Sequence, residues 1–215
     1  MYVNIHTHKK QSSDLAILNA DLSAPDSGAF SSGIHPWNSE PMVHLADMEK
    51  LLTHENCVAI GECGLDKLKG PDLKLQEISF RSQLQLAIKF DLPCIIHCVR
   101  SYEELIKICD QIKIQNPLII HGFNKSKISD QLIIKGFYLS FGHDLLSNIS
   151  LQEAFKNIPT DRIFLENDDS SIEIEKIYEC AANLKELTLQ ELQGSILKNT
   201  KQVFRRTKEE YRCNC

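Results

Sequence analysis

Aromatic residues are sparse in this chain, at 7% of 215 residues, and Trp37 is the single tryptophan. The nine glycines and seven prolines are scattered rather than massed, which excludes collagen-like and low-complexity architectures. No repeat of solenoid length occurs. No apolar run approaches the roughly 20 residues that a membrane-spanning helix requires. The opening Met1-Tyr2-Val3-Asn4-Ile5-His6 has no basic segment followed by an apolar one. No secretory leader is therefore expected, and the expected location is cytoplasmic with no membrane partner. An excess of cations is also missing: 24 Lys and Arg stand against 29 Asp and Glu, a net charge of −5. That excludes a general basic coat for nucleic acid, but leaves room for a local basic patch or a metal-filled site.

What remains is ordinary globular composition, 42% hydrophobic and 25% charged, read as one domain over residues 1–215. The eight cysteines are scattered and are read as reduced, mostly buried thiols. Cys213 and Cys215 form a CxC tail, read as a frayed end, with a soft-metal site as the alternative.

Short apolar, β-prone runs recur along the chain. They are Tyr2–His6, Leu15–Asn19, Ala29–Ile34, Cys57–Gly61, Pro93–His97, Leu118–His121, Phe137–Phe141 and Ile163–Glu166. Helical patterns separate the later ones. Leu75, Ile78, Leu84 and Ile88 give an apolar face over Leu75–Phe90. Ser101 with Glu104, Ser150 with Glu153, and Thr188 with Glu191 have capping-box spacing. Further helices are expected near Ile174–Leu184 and Leu189–Arg206. About eight strand–helix alternations predict an α/β fold of the TIM (β/α)8-barrel type. Only nine residues separate the second run from the third, too few for a helical crossover. The barrel is expected to be irregular, with its first two helices trimmed or absent.

The chemistry-bearing residues fall at the ends of these runs. His6 and His8 are two apart, so on a strand their imidazoles share one side. Glu62, His97 and His121 each follow an apolar run, and Glu166 ends another with Asp168 close behind. Taken singly, each has a bland alternative: a satisfied core histidine, a loop carboxylate, or a turn or helix cap. A parallel barrel, however, gathers all strand C-termini on one face. Six N and O ligands exceed what a single structural zinc takes, so two divalent ions are expected, Mg²⁺, Mn²⁺ or Zn²⁺. Glu62 is placed to bridge them, and Asp168 to serve as both ligand and proton acceptor. The implied reaction is hydrolysis by a metal-activated water.

In this order the motifs resemble the TatD family of metal-dependent hydrolases, within the amidohydrolase-like TIM barrels. The resemblance runs from Asn4 to about Phe204. It is carried by Asn4-Ile5-His6-Thr7-His8, Gly33-Ile34-His35-Pro36 and Ala59-Ile60-Gly61-Glu62-Cys63-Gly64-Leu65-Asp66. Phe80, Gln83, Leu84 and Ala87 match the next helix. Pro93 to His97, Ile120-His121-Gly122-Phe123, Tyr138-Leu139-Ser140-Phe141 and Leu165-Glu166-Asn167-Asp168 complete the set. It implies metal ligation by His6, His8, Glu62, His97, His121 and Asp168. It also implies hydrolysis of phosphodiesters, often as a deoxyribonuclease, with DNA or another phosphodiester as the partner and no obligate protein partner. The alternatives are hydrolysis of a small phosphoester, amide or lactone, or metal binding with little catalysis. Asn4 stands where the family commonly has Asp. Arg100 lies one place later than the usual arginine after the His97 strand. The usual proline after the last-strand aspartate is missing.

Several neighbours complete the expected site. His35 is read as a pocket or phosphate contact, or alternatively as a loop-holding residue. Trp37 is read as a buried anchor, with base stacking as the alternative. Lys67, Lys69, Arg100, Lys125 and Lys127 all follow strand ends and suggest a phosphate-attracting rim; Arg100 and Lys125 are the substrate candidates, and solvated loop cations are the alternative. Asp66 is read as ordering the loop near Glu62. His143 is placed on the same rim, and His44 and His54 on the surface.

Overall fold

The apolar runs become eight parallel strands, paired in the order in which they occur along the chain. The computed structural model describes residues 1–9, 15–20, 22–38, 40 and 42–206. The Cys213/Cys215 tail lies outside the described residues. The strands are β1 (Val3–Thr7), β2 (Leu15–Asn19), β3 (Ala29–Ser32), β4 (Cys57–Asp66), β5 (Cys94–Val99), β6 (Leu118–Ile120), β7 (Tyr138–Phe141) and β8 (Ile163–Leu165). Among the described residues seven α-helices accompany them: α1 (Leu45–Leu51), α2 (Leu73–Phe90), α3 (Tyr102–Ile112), α4 (Ser129–Ile134), α5 (Ile149–Asn157), α6 (Ile174–Leu184) and α7 (Leu189–Val203). Among the described residues no helix follows β1 or β2, as the short spacing requires. None of their helices is long and apolar enough to cross a membrane.

The barrel is nearly closed. β1 and the segment after β8 meet through a parallel bridge between Thr7 and Asp168. The Asp168 amide donates to His6 O at 3.1 Å, and the His8 amide donates to Asp168 O at 3.2 Å. Deeper in the barrel, the Asn4 side chain donates through Nδ2 to Asn167 Oδ1 at 2.7 Å. Tyr178 of α6 clasps β1 from outside: its hydroxyl accepts from Val3 N at 3.0 Å and donates to Val3 O at 2.9 Å. Every residue of β1 and β4 is buried, as expected for strands covered on both faces.

Several expectations need correction. β4 does not stop at Gly61; it pairs with β5 as far as Asp66 opposite Val99, because β5 supplies a ladder partner along that length. The register shifts between Ile60 and Cys63, next to Glu62. α2 does not bury the predicted stripe, since Ile78 and Ile88 are exposed. Its inner face instead includes Gln76 and Gln83 alongside Phe80, Leu84 and Ala87. Both glutamines are committed to backbone. Gln83 takes the Ile34 N–H at 2.8 Å and donates to Ile34 O at 3.0 Å. Gln76 takes the Asp66 N–H at 2.7 Å and donates to Asp66 O at 2.9 Å. Of the three capping boxes only Thr188–Glu191 forms. The Ser101 hydroxyl donates to Val99 O instead, and Asn148, not Ser150, caps α5. All six described cysteines are free thiols. Burial pushes Cys98 and Cys109 up to about 12, so both are thiols at neutral pH.

Candidate metal centre

The six predicted ligands converge at the C-terminal end of the barrel. His6 lies within β1 and His8 just beyond it. Glu62 and His97 lie inside β4 and β5 rather than after them. The His121 amide continues the β6 ladder by donating to Ile96 O at 3.1 Å. Asp168 adopts a left-handed backbone, φ 54°, at the barrel seam.

Glu62 is the hub. Its Oε2 lies 3.4 Å from His6 Nε2 and 3.3 Å from His8 Nε2. Its Oε1 lies 3.2 Å from His97 Nδ1, 2.7 Å from His121 Nε2 and 3.4 Å from His35 Nε2. Each carboxylate oxygen thus faces its own group of histidines. Asp168 Oδ1 joins the first group, 3.3 Å from both His6 Nε2 and His8 Nε2.

Burial and charge compete here. Burial acts to raise the Glu62 carboxyl, yet the charge and hydrogen bond of His121, with the close approach of His35 and His6, hold it well below the ordinary range. Asp168 is likewise lowered, because contacts from His6 and His8 outweigh burial. His8 is raised to about 10 by its hydrogen bonds to Asp168 and Glu62. Burial opposes protonation of His121, but Glu62 and Glu166 lift it well above the usual imidazole value.

Among the described residues, three groups of donors have ligand atoms within 4.8 Å of one another: His6, Glu62 and His121; His6, His8 and Asp168; His35, Glu62 and His97. Atoms bound to one cation at about 2.1 Å stand roughly 3.0–3.4 Å apart, the edge of an octahedron or tetrahedron. Most gaps around Glu62 are of that size. His6 is fully buried, and neither ring nitrogen has an aligned hydrogen-bond partner. A buried imidazole without an aligned bond is costly, and a cation between Nε2 and the carboxylate oxygens it faces would remove that cost. The residues therefore fit divalent metal.

Three further side chains support the ligands, and one of them, Asn19, is not among the residues that the strand ends suggested. Asn19, closing β2, donates to Glu62 Oε2 and accepts the Glu62 N–H, both at 3.2 Å. Its position at a strand C-terminus was the available signal. Glu166 is wholly buried and accepts the Gly122 N–H at 2.7 Å. It also faces His121 Nδ1 at 3.3 Å, so His121 lies between two carboxylates. Asp66 does the same for His97, at 3.2 Å from Nε2. Such outer carboxylates fix ring orientation and raise ligand basicity.

His35 accepts the Trp37 N–H at Nδ1, 3.1 Å away. In its neutral form the proton is therefore on Nε2, which makes His35 a donor rather than a lone-pair ligand. Trp37 is not a buried anchor: it is 45% exposed at the cavity edge, with its indole N–H bonded to Asp66. A cavity of about 340 Å³ holds His8, His35, Trp37, Glu62, His97 and Asp168 on its wall. An adjoining one of about 320 Å³ takes in His121, Lys125, His143 and Glu166. Arg100 is exposed and lines neither, its backbone being left-handed at φ 53°. Lys127 also lines neither. Lys67 is paired with Glu104 at 2.6 Å, and Lys69 sits over Trp37. A larger cavity, about 560 Å³, lies away from the histidines, between the C-terminal ends of α3 and α4.

The TatD related DNase family signature matches residues 2–205. This chain belongs to that family. The uncharacterized metal-dependent hydrolase YabD of Bacillus subtilis is 31% identical over 80% of this chain and 76% of its own length. A protein of Erwinia tasmaniensis named as a 3'-5' ssDNA/RNA exonuclease, TatD, is 29% identical over 67% of this chain and 59% of its own. The match to the uncharacterized metal-dependent hydrolase YcfH of Escherichia coli, 30% identical, covers 66% of this chain and 56% of that relative. Its fold is shared with the crystal structure of the TatD homologue YJJV from Escherichia coli, with TM-score 0.77 and 21% identity. That match covers 89% of this chain and 86% of the other.

Proposed function

We propose that this TatD-family chain is a divalent-metal-dependent phosphodiesterase that cleaves DNA. The division of labour at Glu62 carries the reading, with Oε2 serving His6 and His8 and Oε1 serving His97 and His121. His6, His8 and Asp168 form one group of donors that would hold a divalent cation, and His97 and His121 a second, with a Glu62 oxygen facing each group. When bound, such ions neutralise a phosphate and make a nearby water acidic. Asp168, partly exposed to the cavity and held ionised, is placed to receive that water's proton on a carboxylate oxygen. His35 Nε2–H faces Glu62 Oε1 and helps keep that carboxylate ionised. Asn19, Asp66 and Glu166 orient Glu62, His97 and His121. The name of the Erwinia relative adds single-stranded DNA or RNA as the substrates to try first.

The test is cleavage of end-labelled single- and double-stranded DNA with Mg²⁺, Mn²⁺ or Zn²⁺, alongside Glu62→Gln and Asp168→Asn. Metal-dependent cleavage that both variants lose is the expected result. Stoichiometric metal with no cleavage of any strand overturns the reading.

A further inference from the structure

Trp37 lies on the wall of the metal-centre cavity and is 45% exposed. A lone exposed tryptophan on a surface carries little meaning. This one is held rigidly. Its indole N–H donates to Asp66 Oδ2 at 2.6 Å, and its backbone N–H donates to His35. The ring lies edge-to-face with His35 at 4.5 Å and with His97 at 5.7 Å. The loop after β4 presses against it: a Cβ on Gly70 would lie 2.5 Å from Pro36 O and 2.9 Å from Trp37 Cα. With its N–H satisfied and its backbone clamped, the indole has only its π surface left to offer.

Resting on the phosphodiesterase reading, we infer that Trp37 is a stacking platform for a substrate base beside the metal centre, selecting unpaired nucleic acid over duplex. An indole accepts any base face, and a base can reach it only when free of its own stack. Lys69 places its ammonium 4.2 Å from the indole centroid. On its flexible stem that cation can move to a neighbouring phosphate as the base settles on the ring. Asp66 ties the platform to His97, so the base and the scissile phosphate are set in one frame. Exposed apolar surface beside a polar metal centre thereby acquires a use.

The chain's single tryptophan is its own probe. The metal-loaded protein is titrated with a phosphorothioate oligothymidylate, and separately with an abasic oligomer of equal length. Quenching by the first and little by the second is expected. In steady-state cleavage of single-stranded DNA, Trp37→Ala should raise KM by about tenfold or more, and Trp37→Phe should restore much of that loss. Single-stranded DNA that is cleaved with an unchanged KM in Trp37→Ala overturns the platform but leaves the phosphodiesterase standing. So does equal quenching by the abasic oligomer. Absence of cleavage in the wild-type protein with metal bound overturns both.

Discussion

Asn4 and Asn167 hold each other across the barrel seam. The Asn4 amide donates to Asn167 Oδ1 at 2.7 Å, and its own Oδ1 accepts the Asn167 backbone N–H at 3.3 Å. Both residues are buried. An amide supplies a donor and an acceptor together, which a carboxylate cannot do when ionised. Asn4 is thus more than a neutral copy of the family's usual aspartate. Asn4→Asp removes one bond and buries a charge at the seam. Stability should fall by about 1–3 kcal/mol, read as a lowered melting temperature. A melting point equal to wild type sinks this account.

Glu62 contacts five histidines, so neutralising it should empty the centre. Glu62→Gln is expected to lose most bound metal by elemental analysis, and to lose activity by roughly a hundredfold or more. Full metal content in that variant would move the hub to another residue.

Protonation competes with metal. His8 rises from 6.5 to about 10 in the metal-free protein. A group raised on folding stabilises fully below its unfolded value, and that contribution is lost as pH climbs through the folded one. Metal-free protein should therefore weaken between about pH 6.5 and pH 10, and His8→Ala should flatten that slope. Glu62 and Asp168 act in the opposite sense: lowered on folding, they lose their contribution as acid protonates them. Metal binding must expel the histidine proton, so affinity should rise with pH over the His8 window. Calorimetry in buffers of different ionisation enthalpy counts the protons released.

Gly64 lets β4 approach β5. A Cβ there would lie 2.0 Å from His97 O, and its φ is 140°. The atom it meets is backbone, which cannot swing away. Gly64→Ala should destabilise by about 2–4 kcal/mol and displace His97, lowering metal content together with melting temperature. Gly194, with nothing near its added Cβ, is the control position.

The sequence determined most of the frame. Short apolar runs, their number and the short gap before β3 predicted a parallel barrel lacking its first helices, because strand burial and crossover length are local properties. The same runs marked His6, His8, Glu62, His97, His121 and Asp168, since a parallel barrel brings strand C-termini together. Tertiary packing decided what surrounds them. Asn19, Glu166, Gln76 and Gln83 act through partners far along the chain, and nothing adjacent in sequence announces those partners. Capping by Ser101 lost to a carbonyl within reach, and the stripe on α2 lost to backbone groups that needed glutamines. Trp37 reads as core by residue type; a bond from its indole N–H to Asp66 and the close approach of the loop at Gly70 hold it at the cavity edge instead.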